Sequence, residues 1–218
     1  MKVGIIGGTG PQGRGIALRW ALAGREVMVG SRSQARADEV AVELNSHLPR
    51  PKITGVTNDQ LVRECDTVVL TVPFEHARST VEPLVPLLRE YCQLFIDVTV
   101  PMRFEKGKGL VSVPVEEGSA TQMLGHLLKP VPVVGAFKTI SAHALEDLST
   151  PLDRDTFVVG PSEARTKAIA LVGEVASLRP VDGGPSREAQ CVERLVPFLI
   201  NINRRYKVKN AGLKTTNI

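Results

Sequence analysis

A short apolar run at residues 2–7 passes directly into Gly8-Thr9-Gly10-Pro11-Gln12-Gly13. A helix-like stretch at 14–24 follows (Ile16, Ala17, Leu18, Trp20, Ala21, Leu22), then a second apolar run at 26–30. Glycines at the first, third and sixth positions between a strand and a helix meet three separate needs: a tight turn, bare backbone that can approach a bulky anion, and close packing of helix on strand. The start of the helix adds unpaired N–H groups and the positive end of a dipole, a combination that suits a pyrophosphate. The chain is thereby committed to a β-α-β beginning with its ligand at the C-terminal ends of parallel strands.

The alternation continues. Periodicity predicts helices at 33–47, 74–90, near 117–128, at 162–176 and at 187–205, and strands at 53–56, 67–72, 94–99, 131–137, 156–160 and 178–182. Strands interleaved with helices predict an α/β fold, a doubly wound and mostly parallel sheet of Rossmann type covered on both faces. A length of 218 residues with 43% hydrophobic content supports one main core and excludes two full-sized domains. The expected division is a dinucleotide-binding portion at 1–145 and a small C-terminal α/β extension at 146–218 that closes the cleft. The boundary is soft, because the late strands are expected to extend the same sheet.

Composition removes several classes. No apolar run approaches the roughly 18–20 residues of a membrane span, and the N-terminus is too short and too glycine-broken for a signal segment, so the reading is cytoplasmic with no membrane partner. Cys65, Cys92 and Cys191 lie far apart without ligand spacing, which predicts buried reduced thiols and no metal site. The net charge of +4 traces to Arg204, Arg205, Lys207, Lys209 and Lys214 in an acid-free tail, so no general nucleic-acid surface is indicated.

The second strand ends in Gly30-Ser31-Arg32-Ser33, with Arg36 one turn later. An enzyme selecting NAD places an acid there to hold the ribose hydroxyls; a hydroxyl and two guanidinium groups suit a 2′-phosphate, which predicts NADP. A short-chain dehydrogenase is excluded, since its Tyr-x-x-x-Lys pair is missing: Phe95 and Asn210 stand four residues after Tyr91 and Tyr206. A β-hydroxyacid dehydrogenase needs a larger helical second domain than the remaining chain supplies.

Several stretches spread over nearly the whole chain carry a specific likeness: Gly7-Gly8-Thr9-Gly10 with Gly13, Val29-Gly30-Ser31-Arg32, Ile53-Thr54-Gly55, Thr71-Val72-Pro73-Phe74-Glu75-His76-Ala77, Arg179-Pro180-Val181-Asp182 with Gly184-Pro185, and Leu195-Val196-Pro197 with Asn201-Ile202. In these the sequence resembles the deazaflavin-dependent NADP oxidoreductases, which pass hydride between NADPH and coenzyme F420, an 8-hydroxy-5-deazaflavin. The resemblance implies that Thr9, Gly10, Pro11 and Gln12 bind pyrophosphate, within a cofactor-binding loop that includes Gly8 and Gly13. It implies that Ser31, Arg32 and Arg36 bind the 2′-phosphate and that Thr71, Val72 and Pro73 lie along the ribose and nicotinamide end; Val100 and Ala136 complete the expected cofactor-binding set. It also implies a homodimer, for which the apolar C-terminal helix (Val192, Leu195, Val196, Phe198, Leu199, Ile202) offers a face, and it makes residues 146–218 the acceptor-side and dimerisation portion. The chain departs from the family at Pro11-Gln12, at Phe137-Lys138-Thr139 and at 206–209.

Hydride transfer between two rings asks for positioning and exclusion of water more than for acid/base side chains, so no catalytic acid or base is expected. Two candidates stand near the cleft: His76 at the start of a helix, and Lys138 after the strand at 131–137, where it could face a negative ring edge in the crevice. The basic tail could draw in an anionic acceptor or simply complement a helix C-terminus. Two other functions stay open on residues alone: an NADPH-dependent reductase of free flavin or a flavin-bound ferric acceptor, and a non-catalytic NADPH-sensing module.

Overall fold

The structure, a computed structural model, describes residues 2–218. The chain opens with β1 (Val3–Ile6), α1 (Pro11–Leu22), β2 (Val27–Ser31), α2 (Gln34–Asn45) and β3 (Ile53–Thr57). It continues through α3 (Asn58–Glu64), β4 (Thr67–Leu70), α4 (Phe74–Val81), α5 (Val85–Tyr91) and β5 (Leu94–Asp97). A hairpin of β6 (Met102–Glu105) and β7 (Gly109–Ser112) precedes α6 (Ala120–Leu128), β8 (Val133–Gly135) and α7 (Ala142–Glu146). The remainder is β9 (Arg154–Val158), α8 (Ser162–Val172), β10 (Leu178–Asp182) and α9 (Ala189–Tyr206).

Six strands form one parallel sheet in the order β3-β2-β1-β4-β5-β8. Strands β1, β4 and β5 are buried along their whole length, as a sheet covered on both faces requires. One face packs Ile16 and Trp20 of α1, Leu44 of α2 and Ala168 and Leu171 of α8; the other packs Leu61 of α3, Leu88 of α5 and Leu124 of α6. Trp20 fills the first layer, edge-on to Phe137 at 5.3 Å, and satisfies its buried indole N–H on the carbonyl of Leu171 at 3.0 Å.

The structure differs from the sequence reading in places with identifiable causes. The helix expected at 74–90 is α4, a 3-10 turn at Glu82–Leu84 and α5, because Pro83 and Pro86 each remove an amide and open a new helix start. Short α3 and α7 and the exposed β6–β7 hairpin carry too little periodicity to be legible. The late strands do not continue the main sheet as expected. β9 and β10 form their own parallel pair, joined to the edge strand β8 by a single antiparallel bridge between Gly135 and Val159. The outer side of β9 meets the C-terminal tail instead, where the Asp155 amide donates to Leu213 O at 2.8 Å. The Asp155 carboxylate takes the Arg179 guanidinium and the amide and hydroxyl of Thr215, and Arg179 first among these holds it well below the usual carboxylate range.

Cys65 and Cys92 are buried, and burial pushes both thiols up to about 12. Cys191, expected to be buried, is exposed on α9. Among the described residues no helix is long and apolar enough to cross a membrane.

Helix α1 is fixed by α7. A Cβ on Gly15 would fall 2.4 Å from Leu145 Cβ, and Arg19 reaches across to the carbonyls of Ala144 and Leu145 at 3.0 Å each and Asp147 at 2.5 Å, filling the acceptors left at the end of α7. Gly15→Ala is therefore expected to destabilise: overpacking against a near-rigid neighbour costs about 1–3 kcal/mol and the gain in helix propensity returns at most about 1. A calorimetric melting temperature lower by roughly 2–8 °C is expected; an unchanged or higher value would show that the two helices are not in close contact.

Candidate functional site

The C-terminal ends of β1, β2, β4, β5 and β8 face one crevice, and the glycine loop lies at its middle. A Cβ on Gly13 would sit 2.5 Å from Gly8 Cα, so this glycine is spent on helix-to-strand packing. A Cβ on Gly10 would meet only Gly7 O, at 3.4 Å, and otherwise points into open space. That open space is where backbone can meet a ligand. Helix α1 starts on Gly10 with no side-chain cap and no acid in its first turn, which keeps its N-terminus electropositive and available to an anion. The Gln12 side chain turns the other way, donating to Ile140 O at 3.2 Å, and so ties the loop to the segment after β8. Within that segment Phe137 holds a left-handed φ of 56°.

At the end of β2, Ser31 Oγ accepts from the Ser33 amide at 3.2 Å and Ser33 caps α2. Arg32 is exposed at the crevice rim. Arg36 is also exposed but pairs with Glu39 at 2.6 Å, so the two arginines are not equivalent. On the β4 side, the Thr71 hydroxyl and amide both donate to Ile6 O at 3.0 Å, which pins the Thr71-Val72-Pro73 corner beside the glycine loop, with Val72 over Gly7. Val100 is half-buried after β5, whereas the Ala136 side chain is wholly within the core and only its backbone lies near the crevice. His76 is exposed beside Glu75 at 3.6 Å on the first turn of α4.

Lys138 departs most from its sequence reading. Its ammonium does not stand in the crevice: the side chain is 0% exposed and bonds Asp97 Oδ2 at 2.6 Å, Thr99 O at 2.6 Å and Glu193 Oε1 at 3.1 Å. The side chain folds inward because two buried carboxylates attract it there, and a buried charge persists only when paired. Asp97 ends β5, Lys138 follows β8 and Glu193 is on the second turn of α9, so the cluster binds the sheet to the C-terminal helix. Glu193 also caps α6, accepting from the amides of Ala120 at 3.1 Å and Thr121 at 3.3 Å. Burial pulls the Lys138 ammonium toward neutrality, but Asp97 and then Glu193 outweigh it and leave the group above its ordinary value. Burial is the larger influence on Glu193; with Asp97 it exceeds the pull of Lys138 and raises the carboxyl above its ordinary range. The sequence reading missed Asp97 and Glu193. A carboxylate at the end of an otherwise apolar strand, and another among the apolar positions of α9, were the available signals.

Beside Glu193 opens a shallow cavity of about 130 Å³, walled by Pro101, Val113 and Val115 with Gln190, Glu193 and Arg194 along one edge. Gln190 is braced on Gly118 O at 2.7 Å. Of the basic tail, Arg204 lies over the Phe104 ring at 5.1 Å, Lys207 ends α9 in a left-handed turn and Lys214 pairs with Asp153 at 2.7 Å; Arg205 and Lys209 are exposed.

The chain is similar in sequence and in fold to known proteins. A family model described as NADP oxidoreductase, coenzyme F420-dependent, matches residues 2–101. The F420-dependent NADP reductase of Methanothermobacter thermautotrophicus is 36% identical over 224 residues, an alignment covering 100% of this chain and 96% of the relative. The enzyme of the same description from Methanocaldococcus jannaschii is 33% identical, covering 100% and 99%. In fold, a crystal structure from an Arthrobacter species superposes with a TM-score of 0.81 at 22% identity over the full length of both chains.

Removing the ammonium should expose the electrostatic logic of the cluster. Lys138→Met leaves two buried carboxylates without a counter-charge, a loss of about 3–5 kcal/mol near neutrality. The sign of the pH effect follows. A carboxyl whose folded value is raised adds stability below its unfolded value and loses it as pH rises through the folded one, so the variant should recover stability on acidification more steeply than the parent. Denaturant midpoints measured from acid to alkaline pH check this; parallel profiles would mean that Lys138 does not compensate the two acids.

Proposed function

We propose, for a chain that belongs to the family of the F420-dependent NADP reductases, that it transfers a hydride between NADPH and coenzyme F420. The observation that carries this reading is the extent of the relationship, which runs through the acceptor side of the molecule as well as the glycine loop. An enzyme of another acceptor would have reason to keep only the loop and the sheet around it, and the readings as a flavin or ferric-flavin reductase or a sensor module are not favoured.

The residues fit the two groups. The open face of Gly10 and the uncapped start of α1 suit a pyrophosphate. Ser31, Arg32 and Arg36 suit a 2′-phosphate, with exposed Arg32 as the principal donor and Arg36 released from Glu39 to join it. The apolar wall and polar edge of the cavity near Glu193 suit one end of a planar heteroaromatic ring. NADPH supplies the hydride and the deazaflavin accepts it. The work of the chain is placement: the Thr71-Val72-Pro73 corner and Val100 set the nicotinamide side, and Gln12 locks the phosphate loop to the segment after β8. Placement of this kind would bring the reacting atoms of the two rings to the roughly 3–3.5 Å that hydride transfer needs. Residues 1–145 form the NADP-binding portion and 146–218 the acceptor-side and dimerisation portion, which α9 and its buried Glu193 join to the sheet. His76 stands outward and serves as a polar helix start.

The working form is a cytoplasmic homodimer. Exposed Phe104, Phe198 and Tyr206, on the β6–β7 hairpin and the outer side of α9, form the apolar surface that pairing would cover. A monomeric mass in sedimentation at micromolar protein would remove the dimer from this reading.

Anaerobic assays with NADPH and either F420 or FMN, following the acceptor absorbance, test the acceptor directly; F420 alone should be reduced efficiently. Arg32→Ala tests the donor. Loss of one charge-assisted contact costs roughly 1.5–3 kcal/mol, so NADPH affinity should fall by about one to two decades while that for NADH barely changes. Equal weakening of both would assign Arg32 to something the two cofactors share.

A further inference from the structure

Reduction of a deazaflavin by NADPH consumes a proton as well as a hydride, and among the residues lining the cavity Glu193 is the one acid. We propose that Glu193 is the proton-carrying group of the acceptor cavity, held in that role by Lys138 and Asp97. This rests on the hydride-transfer reading above.

The geometry distinguishes the two acids. Asp97 is saturated as a carboxylate: Oδ1 accepts from the Thr99 amide at 2.8 Å and the Thr99 hydroxyl at 2.7 Å, and Oδ2 from the Thr121 hydroxyl at 2.8 Å and Lys138 at 2.6 Å. A carboxylate offers about four lone-pair sites, and all four are taken, so Asp97 has no place for a proton. Glu193 differs. Its Oε1 takes Lys138 and the Thr121 amide, but the Ala120 amide is the donor to Oε2, which leaves that oxygen a lone pair on which a proton can sit. Charge points the same way. One ammonium among two carboxylates, all buried, carries an excess of one negative charge, and a single proton neutralises it. Of the three groups, Glu193 alone also lines the cavity.

Among the described residues, the charged groups acting on Glu193 are Lys138 from the segment after β8 and Asp97 from β5. From α6 it meets the Thr121 hydroxyl and two backbone amides. On the loop before α6, Glu117 is engaged with Arg78 at 3.0 Å. On α9 itself, Arg194 is exposed at the cavity edge. Burial first, and Asp97 with it, raise Glu193 above its ordinary carboxyl value, the direction a general acid requires.

The step balances. The C4–H bond of the nicotinamide breaks and a C–H bond forms at C5 of the acceptor, with the electron pair displaced to ring N1. An N1–H bond then forms as the Glu193 O–H breaks. Glu193 is left as a carboxylate paired with Lys138, and solvent at the cavity mouth returns its proton. In the reverse direction Glu193 receives the N1 proton.

Infrared spectroscopy of the intact protein with glutamate-selective isotope labelling reads the group directly, because Glu193 is the one buried glutamate among the described residues. A labelled carboxylic C=O band should be present at mildly acidic pH, titrate away toward alkaline pH and be missing in Glu193→Gln. In the same variant the rate of F420 reduction should fall by roughly 10²-fold and lose the pH dependence of the parent, with NADPH affinity, followed by nicotinamide fluorescence, unchanged. Glu193→Asp should restore part of the rate. The proposal is overturned if no such band titrates in the parent, or if Glu193→Gln keeps the parental rate and pH profile. Should Glu193→Gln fail to fold, the labelled band of the parent decides alone. If the parent does not reduce F420 at all, the hydride-transfer reading falls, and the band still reports whether Glu193 holds a proton.

Discussion

The parallel sheet, the segment after β8 and the C-terminal helix meet at the Lys138 ammonium. It reaches the end of β5 through Asp97, the following turn through Thr99 O, and α9 through Glu193. Three walls of the crevice are thereby referred to a single point charge. Such an arrangement contributes little net stability, because taking three charged groups out of water costs nearly what their mutual attraction returns. Its contribution is to placement: α9 and α6 cannot shift relative to the sheet without leaving a charge unpaired in a dry interior. The cavity wall that includes Glu193 is rigid for the same reason.

Around that point the molecule divides the work by strand ends. At the β1 and β2 ends lie backbone amides, an uncapped helix start and exposed Arg32, groups suited to anions, while the β4 corner is held by Thr71 bonding back to Ile6. The β5 and β8 ends carry the buried ion cluster. Gln12 links the two halves, since its backbone belongs to the glycine loop and its amide donates to Ile140 O on the far side. A displacement of the phosphate loop is therefore felt at the segment that holds Lys138.

The fold class was legible because it depends on local pattern, and the residues proposed for the donor half of the site were picked out by local pattern too. Gly8, Gly10 and Gly13 declare themselves by spacing, and the missing acid after β2 is read directly from Ser31-Arg32-Ser33. The acceptor half was less legible. Lys138 was recognisable as a polar residue at a strand end, but nothing nearby in the chain indicated whether it turned outward or inward. Its partners Asp97 and Glu193 lie 41 and 55 positions away. The β9–β10 pair was expected to join the main sheet; it does so by one bridge, because three-residue β8 is too short an edge to propagate a ladder and the C-terminal tail takes the outer side of β9.

The sequence by itself determined the parallel α/β architecture and the glycine loop and Ser/Arg cluster proposed for the pyrophosphate and the 2′-phosphate, since each follows from residue types within one or two turns of chain. Only the tertiary structure decided the direction of Lys138, the saturation of Asp97 and the spare lone pair of Glu193. These are properties of charge burial, and burial is set by what three distant segments pack together rather than by any of them alone.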